Sequence, residues 1–261
     1  MIRFLVNLMI TSMIFFPEKV FYEKPEDYDF DWEDVSIQTT DGAKLFGWYL
    51  KAPQAHGTLL FLHGNAGNIS GRLSKAKGWV ERGYSVLLID YRGYGQSEGE
   101  IQHEEDIVRD GTAALDWLLK KKGLPLSRII LYGESLGTYP AIRLAVQHSA
   151  VALVLEAPFT SFVALAKIHY AMLPGFLAST LLQDFAFRNS DWIEKIQTPL
   201  FILHGTGDEI CPYEMGEQVF EKAPEPKGFL SIPGGSHNAL PVQAGEDYWQ
   251  KPAEFVEKYL R

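Results

Sequence analysis

One serine of the sequence stands where a polypeptide can present a hydroxyl group for chemistry. The stretch Gly133-Glu134-Ser135-Leu136-Gly137 follows a short apolar run and precedes a segment with a helical pattern. A sharp turn between a strand and a helix would lift the Ser135 hydroxyl above a sheet and would tolerate only small neighbours such as glycine. The stretch therefore predicts an exposed nucleophile. The alternative is a glycine-rich turn that carries a surface serine.

A serine nucleophile needs a base, and one histidine is well placed to serve. The base must take the hydroxyl proton, because a neutral hydroxyl group is a poor nucleophile. Of the seven histidines, His237 lies in a glycine-rich turn after the last predicted strand, in the stretch IPGGSHNAL. His63 and His204 each end a predicted strand and precede a glycine. We therefore predict His237 as the base and expect the other two to shape turns.

The acid that orients the base is expected after the strand that precedes His237. The stretch HGTGDEICP offers Asp208 and Glu209 at this point. Neighbouring loop residues point apart, so only one carboxylate can reach the imidazole, and the spacing from the end of the strand favours Asp208. We expect Glu209 to be solvated. The chain order Ser135, Asp208, His237 is typical of hydrolases whose serine lies on such a turn.

Attack on an ester builds a negatively charged oxygen, which must be stabilised by hydrogen-bond donors. The glycine-rich stretch FLHGNAGNISGR, residues 61–72, leaves a predicted strand beside the serine turn. Its backbone N–H groups can point at the developing charge together with that of Leu136, and Asn65 is the expected donor from this loop. Phosphate binding is not favoured, because the loop lacks both the Gly-Lys-Ser/Thr ending and the GxGxxG spacing.

The elements that must position these residues alternate between strands and helices. A hairpin is predicted at 34–40 and 43–50, and further apolar runs predict strands at 57–63, 84–90, 128–132, 151–157, 199–204 and 227–232. Helical patterns fall at 70–82, 103–122, 136–148, 213–223 and 245–260. This alternation predicts an α/β fold with a mostly parallel eight-stranded sheet and helices on both faces. Active sites of such sheets lie beyond the carboxyl ends of the strands.

Together these stretches give the chain a resemblance to alpha/beta-hydrolases of the serine-hydrolase branch. The matching stretches are DGAKLFGWYL, FLHGNAGN, IDYRGYGQSEG, LYGESLGTYPA, HGTGDEICP and GGSHN, which run from about residue 34 to 238. The chain is similar above all to membrane-anchored alpha/beta-hydrolase-domain proteins and bacterial carboxylesterases, and more distantly to monoacylglycerol lipases and serine aminopeptidases. The resemblance implies a three-layer alpha/beta-hydrolase fold with a triad of Ser135, His237 and Asp208.

Other polar positions are better explained by structure than by catalysis. Arg92, in DYRGYGQSEG, is expected to join a buried polar network rather than to bind substrate. The stretch HEED at 103–106 opens a predicted helix, where acidic groups stabilise the helix dipole, and it lacks the histidine pair of a zinc helix. We therefore expect no metal and no cofactor. Cys211 is the only cysteine, which excludes an intrachain disulfide, and we expect it to pack rather than react.

Composition and length limit the choice of function. The chain has 261 residues, of which 46% are hydrophobic, and a net charge of -9. These values are typical of a globular domain with a sizeable core. The acidic balance argues against a nucleic-acid partner, because phosphate binding needs a basic face. The insertion at 158–198, rich in Phe, Leu, Ala and Tyr, predicts a cap of two or three helices over an acyl pocket.

The N-terminal stretch MIRFLVNLMITSMIFF is almost entirely apolar. As a helix it would be about 24 Å long, short of the roughly 30 Å hydrocarbon core of a bilayer. Arg3, Asn7 and Thr11 form one narrow polar stripe, which favours a helix lying in a membrane surface through residues 1–16. A helix docked on the protein itself, or on a second copy in a homodimer, and a cleaved signal remain alternatives. Residues 1–17 are thus separated from a catalytic domain at 18–261, and the protein is expected at a membrane or otherwise in the cytoplasm.

These observations predict a serine hydrolase that cleaves carboxylic esters of short to medium acyl chains, including lipid-derived esters. Alternatives within the same chemistry are an acyl-protein or acyl-CoA thioesterase and a monoacylglycerol lipase. A serine aminopeptidase and a non-catalytic binding module on the same fold are less favoured. Epoxide hydrolases and dehalogenases of this fold carry an aspartate at the turn, so Ser135 argues against them.

Overall fold

An eight-stranded sheet lies at the centre of the computed structural model, which describes residues 11–12, 14–170 and 180–260. Its strands are β1 Asp31–Gln38, β2 Lys44–Lys51, β3 Gly57–Leu62, β4 Tyr84–Ile89, β5 Ile129–Glu134, β6 Ala152–Glu156, β7 Leu200–Gly205 and β8 Lys227–Ile232. The spatial order is β8-β7-β6-β5-β3-β4-β2-β1. Strand β2 is antiparallel to both of its neighbours, and the other pairs are parallel. The predicted mostly parallel eight-stranded sheet is confirmed.

The α-helices of the described residues follow the strands. They are α1 Leu73–Val80, α2 Glu104–Lys120, α3 Thr138–Gln147, α4 Phe162–His169, α5 Tyr213–Lys222, α6 Leu240–Ala244 and α7 Asp247–Glu257. Short 3-10 segments lie at Pro25–Tyr28, Ile69–Arg72, Leu126–Arg128, Ser135–Gly137, Asn189–Asp191 and Ile193–Lys195. The predicted helix at 70–82 begins with one of these segments, so its α-helical part starts at Leu73.

The sheet divides the hydrophobic core into two layers. Buried residues of α2, α3 and α5 pack on one face of the sheet. Buried residues of α1 and α7 pack on the other face. The inner strands β3 to β7 are buried along their whole length, which explains their continuous apolar runs. The three-layer arrangement is the expected one.

The first strand differs from its predicted bounds for a local reason. It was expected at 34–40, but β1 ends at Gln38. Thr39 exchanges hydrogen bonds with the far side of the turn: its N–H donates to the Ala43 carbonyl, and its carbonyl accepts from Gly42. The Thr39 hydroxyl also bonds the Asp41 carboxylate at 2.5 Å. Residues 39 and 40, which were predicted to continue the strand, therefore belong to the turn.

The described end of the N-terminal stretch lies on the catalytic body. Phe16–Pro17 pairs in parallel with Ala66–Gly67, in the loop after β3. Phe15 is buried, with its ring centroid 5.5 Å from that of Phe185. The predicted polar stripe at Arg3 and Asn7 lies outside the described residues. In the part of the chain that is described, no helix has the length and apolar character needed to cross a bilayer.

The cap insertion is described in two parts, 158–170 and 180–198. These parts contain α4, helical residues at 180–181 and the 3-10 segments at Asn189–Asp191 and Ile193–Lys195. Residues 171–179 lie outside the described part of the chain. Phe185 and Phe187 from the end of this insertion are buried against the body. Apolar residues at the end of the insertion therefore pack on the core.

Candidate active site

The serine turn joins β5 to α3, as the sequence pattern indicates. Ser135 has φ of +50°, a left-handed conformation that strains a non-glycine residue. A Cβ atom on Gly137 would overlap the Leu62 carbonyl oxygen, and one on Gly133 would overlap backbone atoms of the next turn. Both glycines are therefore required by close backbone approach. The strained turn holds the Ser135 hydroxyl at the carboxyl end of the central strand.

Three side chains from three loops meet at this edge of the sheet. His237 Nε2 lies 3.1 Å from Ser135 Oγ, and His237 Nδ1 lies 2.7 Å from Asp208 Oδ2. Asp208 follows β7, and His237 follows β8, so adjacent parallel strands bring the two residues together. The three residues that the sequence analysis grouped are thus in one hydrogen-bonded line. Glu209 is exposed and takes no part in it.

The Asp208 carboxylate is held from two directions. Its Oδ1 accepts hydrogen bonds from the backbone N–H groups of Ile210 at 2.9 Å and Cys211 at 2.7 Å. Its Oδ2 faces His237 and, at 3.4 Å, His204 Nε2. Burial raises the pKa of Asp208, but the hydrogen bonds from His204 and His237 outweigh it and hold the pKa well below its usual range. The Asp208 carboxyl is therefore ionised at neutral pH.

His204 is a contributor that sequence reasoning did not assign to the site. Its ring is fully buried, and Nε2 donates to the Cys211 carbonyl oxygen at 2.8 Å. This hydrogen bond ties the loop after β7 around the acid. A Cβ on Gly216 of α5 would overlap the ring, so the helix packs directly against it. The signal in the sequence is His204 itself, which precedes a glycine and lies four residues before Asp208. This pattern predicts a turn and does not by itself indicate a contact with the acid.

The loop after β3 lies between the serine turn and the N-terminal stretch. The Asn65 side-chain amide donates to the Ile14 carbonyl oxygen, and the Tyr94 hydroxyl donates to the Asn65 carbonyl at 2.7 Å. These contacts use the side chain and carbonyl of Asn65. Within the described residues its backbone N–H donates no hydrogen bond, so that donor remains available for an oxyanion. Leu136 follows the serine at the start of the turn and is buried.

Cys211 lies nearer to the nucleophile than its sequence position indicates. Burial and the Asp208 charge raise the pKa of its thiol well above its ordinary value, and a hydrogen bond with the Ser135 side chain opposes this effect only in part. The thiol is 1% exposed. A buried, protonated thiol is a weak nucleophile. Cys211 therefore packs beside the site, and its chemistry is not required there.

Arg92 and the acidic stretch at 103–106 have structural partners. Arg92 Nη2 lies 2.7 Å from Asp110, and its Nη1 lies 2.8 Å from Asp41. The Asp106 carboxylate accepts a hydrogen bond from the His103 N–H at 2.8 Å and so caps α2. Each of these acids is engaged within the fold. In the described part of the chain, no group of three or more His, Cys, Asp or Glu side chains is arranged to hold a metal ion.

Comparison with known proteins agrees with this architecture. A family model described as serine aminopeptidase, S33, matches residues 53–195. The alpha/beta hydrolase domain-containing protein WAV2 of Arabidopsis thaliana is 33% identical over 245 residues, which cover 87% of this chain and 79% of that protein. An uncharacterised protein of Mycobacterium tuberculosis is 38% identical over 209 residues, covering 78% of this chain and 72% of that one.

Solved structures show the same fold. An esterase of Pyrococcus furiosus superposes with a TM-score of 0.78, covering 95% of this chain and 99% of that chain at 23% sequence identity. An esterase domain from Rhodothermus marinus superposes with a TM-score of 0.68 at 18% identity, covering 88% of this chain and 100% of that chain. The family model spans more than half of the chain, and the Arabidopsis relative aligns along most of it. The chain therefore belongs to the alpha/beta-hydrolase family.

Proposed function

We propose that the protein cleaves carboxylic esters through an acyl-enzyme intermediate on Ser135. The observation that carries this proposal is the hydrogen-bonded line from Asp208 through His237 to Ser135, with separations of 2.7 and 3.1 Å. In the resting site the histidine Nδ1–H donates to the carboxylate, so Nε2 has a lone pair to accept the serine proton. This arrangement fits general-base activation of a hydroxyl group.

In the acylation step, Ser135 Oγ attacks the ester carbonyl carbon while its proton moves to His237 Nε2. The carbonyl π electrons move to the oxygen, and the backbone N–H groups of Asn65 and Leu136 stabilise that oxyanion. Collapse of the tetrahedral intermediate re-forms the carbonyl and breaks the bond to the alcohol, which takes the proton from Nε2. The Asp208 carboxylate stabilises the imidazolium that exists between these proton transfers.

Deacylation repeats the same steps with water in place of the serine hydroxyl. Water attacks the acyl carbon and gives a proton to His237 Nε2. The second tetrahedral intermediate collapses, releases the carboxylic acid and returns the proton to Ser135 Oγ. One ester bond and one water molecule are consumed, and one acid and one alcohol are formed.

An apolar pocket between the cap and the N-terminal stretch supports an acyl chain as the recognised group. It has a volume of about 180 Å³ and is lined by Ile14, Phe162, Leu165, Ala166, His169, Tyr170 and Leu182. Most of these side chains are hydrocarbon or aromatic, as in pockets that bind apolar ligands. This supports short to medium acyl chains. Thioesters carried by coenzyme A or by proteins, and monoacylglycerols, present the same acyl group and are the alternative substrates.

Labelling and a substrate panel test the function. A fluorophosphonate probe should label the wild-type protein, and Ser135→Ala should abolish both the label and esterase activity, with kcat lower by about 10³-fold or more. p-Nitrophenyl esters, acyl-CoA thioesters, monoacylglycerols and aminoacyl p-nitroanilides separate the candidate activities. Unchanged hydrolysis by Ser135→Ala would refute the assignment. A protein that neither reacts with the probe nor hydrolyses any substrate would be a binding module instead.

We also propose that the active-site edge of the molecule meets a lipid surface. The large apolar side chains that are exposed in the described residues come from segments that follow the strands: Phe16, Val20 and Tyr22 beside the loop after β3, Ile168 and Tyr170 in the cap, Ile210 after Asp208, and Val242 in α6. The apolar residues 1–10 precede Ile14, which lies in the same region. Exposed apolar side chains favour contact with lipid or with another apolar surface. Lipid-derived esters are therefore the proposed natural substrates, and a homodimer through the N-terminal stretch is the competing arrangement.

A further inference from the structure

One partly buried arginine, Arg72, connects the two loops on which the proposed chemistry depends. Arg72 Nη1 donates to the Ala66 carbonyl at 2.7 Å and to the Asn68 carbonyl at 3.3 Å. Its Nη2 and Nε lie 2.9 and 3.4 Å from the two carboxylate oxygens of Glu134. Ala66 and Asn68 belong to the loop after β3. Glu134 belongs to the serine turn, so a single guanidinium joins both loops.

The position of Glu134 makes this connection direct. Glu134 immediately precedes Ser135, and its side chain is 12% exposed. A Cβ on Gly64 would lie 2.9 Å from Glu134 Oε1, so the carboxylate sits against the backbone of the loop that carries Asn65. The planar guanidinium can satisfy the carboxylate and the loop carbonyls at once because its donors form a rigid fork. A shift of either loop would break part of this set of bonds.

The charges around Arg72 are balanced inside the protein. Lys75 Nζ lies 3.1 Å from Glu134 and 2.8 Å from Glu156, so two cations face two carboxylates. Burial alone would raise the pKa of Glu134, but the Arg72 and Lys75 charges hold it well below its ordinary value. The Glu156 carboxylate is further bonded by the Tyr132 hydroxyl at 2.7 Å. Glu134 is therefore a fixed anion to which the loop can be fastened.

We propose that Arg72 is a positioning residue that sets the geometry of the oxyanion site relative to the nucleophile. The inference rests on the proposed function, because it concerns the distance between Ser135 and the Asn65 N–H. Arg72 touches neither the nucleophile nor the oxyanion position. It acts by fixing the Ala66 and Asn68 carbonyls, on the C-terminal side of Asn65, to the residue next to Ser135.

We expect loss of Arg72 to weaken stabilisation of the transition state rather than substrate binding. Loss of one oxyanion donor costs about 10²–10³-fold in kcat in hydrolases with such sites, and small misplacements of catalytic groups cost about 10²-fold. The residues that line the apolar pocket do not belong to the loop after β3. A displaced loop should therefore lower kcat and leave KM nearly unchanged.

The chain offers a matched control in Lys75. Arg72 and Lys75 are both cations, have similarly buried side chains and bond the same Glu134, but only Arg72 holds the loop carbonyls. Arg72→Met should lower kcat for a p-nitrophenyl ester by about 10–100-fold, with KM within about 3-fold of wild type. The same substitution should weaken inhibition by a trifluoromethyl ketone by a similar factor, because the adduct of this ketone with the serine carries an oxyanion. Lys75→Met should keep kcat within about 3-fold of wild type.

Several outcomes would overturn the inference. Equal loss of kcat in Arg72→Met and Lys75→Met would show a general effect of the charge cluster. Full activity in Arg72→Met would show that the loop needs no fastening. If Arg72→Met does not fold, Arg72→Lys is measured, and retention of wild-type kcat in that variant refutes the inference, because one ammonium cannot replace the fork. Failure of the proposed function looks different, since the wild-type protein would then neither hydrolyse esters nor react with the fluorophosphonate probe.

Discussion

At the scale of single residues, Asp208 is specified much more strictly than its neighbour. Asp208 accepts hydrogen bonds from two backbone N–H groups and lies beside two histidines, whereas Glu209 is exposed. An amide at position 208 could keep some of these contacts, but it would present an N–H or a neutral oxygen to His237. The histidine would then lose the partner that fixes its tautomer and stabilises its positive charge.

Asp208→Asn should therefore damage activity far more than Glu209→Gln. We expect kcat to fall by about 10³–10⁴-fold for Asp208→Asn and by less than about 3-fold for Glu209→Gln, measured with a p-nitrophenyl ester. Thermal unfolding of both variants serves as the control for folding. Comparable losses in the two variants, or a larger loss at Glu209, would mean that the orienting acid has been misidentified.

At the scale of elements, the short N-terminal strand is attached to the loop that carries Asn65. The Glu18 N–H donates to the Gly67 carbonyl at 3.0 Å, and the Asn68 side chain donates to the Val20 carbonyl at 2.8 Å. Together with the Phe16–Pro17 pairing, these bonds hold the loop along its outer side. The segment around Phe16 is thus part of the catalytic body.

Two deletions should separate this structural role from the proposed contact of residues 1–10 with lipid. Removal of residues 1–10 should abolish binding to phosphatidylcholine vesicles and leave hydrolysis of a soluble p-nitrophenyl ester within about 3-fold of wild type, because the lipid-facing apolar residues are lost but the strand remains. Removal of residues 1–17 should also lower kcat by about 10-fold or more, since Phe15 and the pairing strand are lost.

Vesicle flotation and light scattering distinguish the outcomes of this series. Vesicle binding that persists without residues 1–10 would contradict their proposed contact with lipid. A wild-type dimer that becomes a monomer on the same deletion, without vesicle binding, would support the homodimer instead. Full soluble activity without residues 1–17 would show that the strand does not support the site.

At the scale of the whole molecule, a buried carboxyl makes stability depend on pH. Asp90 is completely buried, and its Oδ1 accepts the Ile69 N–H at 2.9 Å. Burial raises its pKa from 3.8 to about 7, although the Ile69 N–H and the Arg72 and Lys19 charges oppose the shift. His63 Nε2, 3.6 Å away, belongs to a ring whose pKa is lowered to about 3 by burial. Both groups are therefore neutral in the folded protein at mildly acidic pH.

The unfolded chain releases the Asp90 proton at a lower pH than the folded chain. Between the pKa of 3.8 and the folded pKa of about 7, folding is therefore linked to proton binding. The stability that Asp90 contributes is complete below about pH 4 and is lost as the pH rises through about 7. Asp90→Asn keeps an acceptor for Ile69 and has no proton to lose. Its free energy of unfolding relative to wild type should rise by on the order of 2 kcal/mol between pH 5 and pH 8.

Urea unfolding at the two pH values checks this expectation. The comparison between the variants removes the contribution of His63, which is present in both. A difference between wild type and Asp90→Asn that stays constant from pH 5 to pH 8 would show that Asp90 titrates at the same pH in the folded and unfolded chains.

The sequence by itself determined the local elements and the candidate residues. Buried parallel strands are continuous apolar runs, and the Gly-x-Ser-x-Gly turn needs its glycines for backbone approach, so both left direct signals. Ser135, Asp208 and His237 each follow a strand, which is why their meeting at one edge could be predicted. The same reasoning about loops beside the serine turn predicts Asn65 and Leu136 as oxyanion donors.

Only the tertiary structure decided which distant polar groups support those residues. His204 lies against Asp208 because a side chain at the end of a buried strand meets the loop that folds back over it. Arg72 reaches Glu134 from 62 residues away, and Phe16 pairs with a loop 50 positions later in the chain. Such contacts have no periodicity and no fixed spacing, since they depend on how layers pack. For that reason the contact of His204 with Asp208, and the contact of Ile14 with the Asn65 side chain, left no signal in the sequence.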